Sequence, residues 1–201
     1  MITKQILAEK IQRRITGGDV PNSIDVDIRD VYLEMETVYS YIVEKSLNLY
    51  GEDIPGEFIS VYEDVPVLKK ESRNRFYSQL PAQLISVRST RNISGLRQVS
   101  PMKSEYDAFI PMKSGDATVY SGLEAGSLLG NVGFWLEGDK IIYENMPAFW
   151  NGETVLIKMI SSIYSLDEDA YVPIPAALEL EMEDEIYKRL MGMKETDNKT
   201  V

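Results

Sequence analysis

Val172-Pro-Ile-Pro-Ala-Ala-Leu-Glu-Leu-Glu-Met-Glu-Asp-Glu-Ile-Tyr-Lys-Arg-Leu190 is the stretch that decides the architecture. Two prolines end an apolar strand, and Pro175 suits the first helical turn, where its missing N–H is not needed. Acids, among them Glu179, Glu181, Glu183 and Asp184, follow in the N-terminal half, and Lys188 and Arg189 come near the end. That order complements the helix dipole. Leu178, Met182, Ile186 and Leu190 recur every four residues as an apolar stripe. Each such side chain, fully buried, contributes roughly 1.5–3 kcal/mol, enough for this helix to anchor the two ends of the chain together.

Its expected partners are two helices at the other end. Leu7, Ile11 and Ile15 predict a helix from about Thr3 to Thr16, ended by Gly17-Gly18. After a polar loop through Pro21 and Asn22, Ile28, Val31, Met35, Val38, Ile42 and Leu49 predict a longer helix over 27–50, broken only by Lys45. Asp25 or Asp27 is suited to cap its start, Asp30 to its first turn and Gly51 to its end. A short helical turn is expected around Pro55–Tyr62.

Between these helices the texture changes to short apolar runs separated by turn residues, at 65–69, 75–78, 84–87, 96–99 and 108–112. They read as antiparallel sheet. Residues 114–131 read as loop, and 132–143 as a hairpin turning at Glu137-Gly138-Asp139. Thr154–Tyr164 is the longest strand candidate, with Val155, Ile157, Met159 and Ile163 on one face and Leu156, Ile160 and Tyr164 on the other. The class is therefore α+β. Residues 1–64 and 172–193 are expected to form a helical bundle, 65–171 an inserted antiparallel β domain, and 194–201 a flexible tail.

The chain has 201 residues, 44% of them apolar, which suffices to bury a core. No apolar run approaches the ~20 residues of a membrane span, and the start lacks a signal peptide's apolar stretch. A soluble protein made and kept inside a cell, or packaged from inside one, is the expectation. There is no cysteine and no histidine. Disulfides, thiolate metal sites and a thiol nucleophile are excluded, as are the commonest general base and the commonest transition-metal ligand. This composition argues against an enzyme.

The net charge of −11 is distributed in blocks. Residues 1–18 are basic, 19–64 strongly acidic, 65–115 basic and 116–201 strongly acidic. Blocks of opposite sign suit association between copies, and equally suit acid-rich solvated helix faces. A chain this acidic is poorly suited to gripping DNA.

Candidate chemistry is sparse. The glycine cluster from Gly122 to Gly133 lacks the preceding strand, the following helix and the Lys-Ser/Thr pair of a phosphate loop. Asp167-Glu168-Asp169 lacks the alternate acids and central glycine of a calcium loop and reads as a solvated connection. Neither a cofactor nor a metal is expected. The aromatics Phe134, Trp135, Tyr143, Phe149 and Trp150, with neighbouring acids, would suit a carbohydrate-binding or glycoside-cleaving site, or else a core with cross-strand pairs. The basic group Lys69, Lys70, Arg73, Arg75, Arg88, Arg91 and Arg97 is the main candidate interface. It suits contact with an acidic region of a neighbouring copy, or a strand edge guarded against pairing.

Three stretches carry a family resemblance: Arg75-Phe-Tyr-Ser-Gln-Leu-Pro-Ala-Gln-Leu-Ile-Ser-Val87, Ile93-Ser-Gly-Leu-Arg-Gln-Val-Ser-Pro-Met102, and Glu137-Gly-Asp-Lys-Ile-Ile-Tyr143. With the helical pair before them and the Pro-Ile-Pro-Ala helix after, the chain resembles tailed-bacteriophage head–tail connector proteins. This is the neck-ring or adaptor family that includes podovirus tail tubular protein A, and the strand segments are most similar to ring proteins of crAss-like phages of Bacteroides. The resemblance spans about residues 3–191 and carries no catalytic residues. It implies a homo-oligomeric ring, a dodecamer, docked on the portal protein and followed by further ring or tail proteins. The place it implies is the virion neck, reached by assembly in the host cytoplasm, without membrane contact. DNA would pass without specific binding, so acidic blocks should face the lumen. Glu179 and Glu183 would then line or link the ring, opposite the basic strands of the next copy.

Overall fold

The structure, a computed structural model, describes residues 2–17, 26–70, 75–85, 95–112, 131–164 and 166–197. Its class is α+β, with helices flanking strands in chain order. Contacts divide it into a helical unit (Met1–Ile59, Ile85–Gly95 and Ser161–Val201) and a β unit (Ser60–Leu84 and Leu96–Ile160).

In the helical unit, α1 (Lys4–Ile15), α2 (Ile28–Tyr50) and α3 (Ala176–Asp197) touch one another pairwise. Local chemistry sets their ends. Thr3 Oγ1 accepts the Ile6 N–H at 3.3 Å, and Asp27 accepts the Arg29 N–H at 3.0 Å. Gly51 closes α2 with φ +63°, its N–H donating to the Leu47 carbonyl. Pro175 sits one place before α3, and its carbonyl accepts the Leu178 N–H at 2.8 Å. Val31, Met35, Val38, Tyr39 and Ile42 bury the inner face of α2, and Met182, Ile186 and Leu190 that of α3.

The acidic run 167–169 has a backbone task. Glu168 and Ala170 carbonyls accept the N–H groups of Gln5 and Lys4 at 2.9 and 3.0 Å, and Val172 N–H donates to Ile2 at 3.0 Å. Lys4, only 7% exposed, donates from Nζ to the carbonyls of Leu166 (3.0 Å) and Tyr164 (3.3 Å). Its ammonium also lies 5.0 Å from the centre of the Tyr32 ring. Burial pushes the Tyr32 hydroxyl pKa above its ordinary value, and the neighbouring Glu168 carboxylate adds to the shift.

The β unit holds two sheets. One runs β1 (Ser60–Pro66), β8 (Thr154–Met159), β4 (Leu96–Pro101). The other runs β2 (Leu68–Lys70), β3 (Arg75–Gln79), β7 (Lys140–Glu144), β6 (Gly133–Glu137), β5 (Ile110–Pro111). The sheets share one apolar cluster that includes Val67, Phe76, Phe134, Tyr143, Val155 and Ile157. Tyr143 Oη donates to Ser78 Oγ, which donates to the Pro66 carbonyl, each at 2.9 Å. Gly138, at φ +64°, supplies the left-handed residue of the β6–β7 turn.

Several expectations are corrected. The helical turn expected to reach Tyr62 is only a 3-10 turn at Gly56–Phe58, because β1 begins at Ser60 and pairs with β8. The β region is not wholly antiparallel, since β5 pairs parallel to β6, Ile110 opposite Gly133. The long strand stops at Met159, and Tyr164 is exposed. Of the strand expected at 84–87, residues 86 and 87 lie outside the described residues, and Leu84 stands outside the named strands. Most of the 114–131 loop, with Gly122, Gly126 and Gly130, also lies outside them.

Candidate interaction surface

Among the described residues, the basic group is divided between two sheets. Lys69 lies on β2, the edge of the five-stranded sheet, and Arg75 on the neighbouring β3, whereas Arg97 lies on β4, an edge of the three-stranded sheet. Arg73, Arg88, Arg91 and the side chain of Lys70 lie outside the described residues. Lys69 and Arg75 have no carboxylate within 4.0 Å among the described residues; they lie over aromatic rings instead. Lys69 Nζ is 6.0 Å from the Phe76 ring centre, and the Arg75 guanidinium is 5.6 Å from that of Trp135. A cavity of about 250 Å³ opens here, lined by Arg75, Tyr77, Asp139, Lys140 and Ile142 among others.

Every described sheet edge is blunted. β1 carries a bulge between Tyr62 and Val65, with Asp64 at φ +55°, and ends in Pro66. β4 carries a bulge between Leu96 and Gln98 and ends in Pro101. β2 is three residues long with two lysines, and β5 is two residues with one proline. These are devices that keep strands from pairing with other chains. The lysines of β2 fit that role directly.

The acids of α3 act within the helical unit. Arg14 of α1 meets Asp184 at 2.5 Å and Glu183 at 3.8 Å, and stacks 4.5 Å from the Tyr187 ring centre. The hydrogen bond to Asp184 raises the Arg14 pKa above its ordinary value. Lys45 of α2 meets Glu181 at 2.6 Å, and that hydrogen bond likewise raises the Lys45 pKa. Glu183 thus serves an intramolecular pair, while Glu179 lies partly buried in the first turn of α3. Among the described residues, no group of three or more Asp or Glu side chains is placed to hold a metal ion.

The aromatic set is mostly core. Phe134, Trp135 and Tyr143 are buried, and Trp150 packs edge-on against Phe109 at 5.6 Å. Only Phe149, 71% exposed, faces solvent, stacked on Trp150. Three of the five rings, Phe134, Trp135 and Tyr143, are thus committed to the core, while Phe149 and half-buried Trp150 form a stacked pair at its margin.

The apolar row of α2 runs out into solvent at the end of the helix. Leu49, seven residues beyond Ile42 and on the same side of α2, is 69% exposed, and Tyr50 beside it is exposed too. Leu178, the first residue of the α3 stripe, is only partly covered. These side chains, with Ile42, Pro55 and Pro175, line an apolar groove of about 340 Å³ between the end of α2 and the start of α3. Leu180, 66% exposed, extends the apolar surface on α3. The cause is length. α1 has 12 residues, about 18 Å, against 23 in α2, about 35 Å. The ion-pair and ring contacts of α1 fall at Tyr32, Glu183, Asp184 and Tyr187, none of which lines the groove. The short first helix next to a long second one was the available signal. No helix among the described residues is long and apolar enough to cross a membrane. The chain matches no protein-family model and no curated protein.

Proposed function

We propose that this chain is a non-catalytic structural subunit of a homo-oligomeric ring in a phage head–tail connector, placed in the virion neck between the portal protein and the tail. The observation that carries the assembly part is the open apolar groove on the helical unit, in contrast to the blunted strand edges described for the β unit. Large apolar side chains left in solvent mark protein–protein contacts. The connector setting comes from the resemblance in sequence and layout. An acid-rich chain also suits a passage that must let DNA through without holding it, because repulsion of phosphate keeps the duplex mobile. In this reading the acidic blocks face the lumen, and twelve copies close the ring.

Negative-stain electron microscopy of the purified full-length chain, alone and mixed with a phage portal protein, tests the proposal. Closed rings of uniform size, with acidic surface toward the hole, are expected. A protein that stays monomeric in both samples, or a ring with a basic lumen, would overturn it. The carbohydrate reading gains no support from the placement of the aromatics, and polysaccharide binding by a strict monomer would be the result that revives it.

A further inference from the structure

Resting on the ring reading, we propose that the groove at the end of α2 and the start of α3 receives helix α1 of a neighbouring copy through Ile6, Lys10 and Arg13. These three residues lie at i, i+4 and i+7 and so share one helix face. Ile6 is 50% exposed, and Lys10 and Arg13 are exposed as well. Among the described residues, the Arg13 side chain pairs only with Glu9 of its own helix, at 3.8 Å. The outer face of α1 is thus apolar at one position and cationic at two.

The groove offers the complement. Its floor is Ile42, Leu49, Tyr50 and Leu178. Asp53 and Glu57 stand two residues on either side of the lining residue Pro55, both exposed, with no cation within 4.0 Å among the described residues. Lys45, the one cation of the lining, is already matched by Glu181. The last turn of α2 holds no basic residue, so no side-chain cation within it offsets the partial negative charge of that helix end. A helix bringing an isoleucine, a lysine and an arginine supplies what this end lacks.

The giving face and the receiving groove are different parts of the same unit, so in the ring reading each copy gives α1 to one neighbour and receives it from the other. Such a head-to-tail contact propagates from copy to copy and closes into a ring when the rotation allows. Reciprocal seating of both helices in one pair would stop at a two-fold dimer.

The chain has no cysteine, so a disulfide between introduced cysteines reports one designed contact. A K10C copy mixed with a Y50C copy under mild oxidation should give a cross-linked pair, whereas K10C mixed with K188C should not. The double variant K10E/R13E, its fold checked by circular dichroism, should weaken assembly about tenfold or more, and adding D53K/E57K should restore it. Absence of the 10–50 cross-link, or rings of unchanged size and stability from K10E/R13E or Leu49→Asp, would overturn this docking and leave the ring reading standing. A 10–50 cross-link from copies that never form rings would keep the docking and remove the ring.

Discussion

The helical unit and the β unit solve opposite problems. The helical unit is held by side chains that cross long stretches of sequence, such as Arg14 to Asp184, Lys45 to Glu181 and Lys4 to the 164–166 carbonyls, and it leaves part of its apolar seam open. The β unit is held by backbone ladders around a dense aromatic and aliphatic cluster, and it guards each described edge with bulges, prolines or lysines. The difference teaches where a second chain fits. One unit leaves large apolar side chains in solvent, the surface that the proposed assembly would use, and the other guards against strand pairing.

Core deletions should show the largest effects, and they test whether both units are packed to the same standard. Phe58→Ala removes a fully buried ring 6.2 Å from Tyr39 and should cost about 3–5 kcal/mol. Its β counterpart, Ile157→Ala, should cost about 2–5 kcal/mol, both read from urea unfolding. A near-zero cost at either site would mean that unit is loosely packed. Lys4→Met comes next, at about 1–3 kcal/mol, because two part-buried carbonyls lose their charged donor. Hydrogen exchange should then speed up in the first turn of α1 and leave β7 unchanged; equal acceleration in both would break the contrast. Asp27→Ala should cost about 0.5–2 kcal/mol through the lost cap of α2.

The smallest effect belongs to Tyr143→Phe, about 0.5–1.5 kcal/mol at neutral pH, from the lost bond to Ser78. Its pH dependence is more telling. Burial raises the Tyr143 pKa above the unfolded value of about 10, so the folded state keeps its proton while the unfolded state loses it. Stability from this group is therefore complete below that pH and declines as pH rises above it. Unfolding curves at neutral and strongly alkaline pH should converge between wild type and Tyr143→Phe. If alkali destabilises both equally, Tyr143 is not the responsible group.

Much of the fold was legible where one local rule acts alone. The limits of α2 followed from Asp27 and Gly51, and the β6–β7 turn from Gly138. Features that depend on what lies across the fold were not legible. Lys4 reads as an ordinary charged helix residue, yet two carbonyls more than 150 positions away bury it. The parallel pairing of two-residue β5 leaves no period to detect. The basic residues lie near one another in sequence, yet Arg97 falls in one sheet and Lys69 and Arg75 in the other. Leu49 obeyed the apolar period of α2 perfectly, and only the short reach of α1 explains why the period continues into solvent.

The sheltered amine of Lys4 has a practical consequence. An acylating reagent attacks free, unprotonated amines that it can reach, so Lys10, Lys69 and Lys188 should modify quickly and Lys4 only when the first turn of α1 lifts away from the 164–166 segment. The lag of Lys4 behind the other lysines, followed by mass spectrometry, is thus a built-in clock for how often the start of the chain lets go.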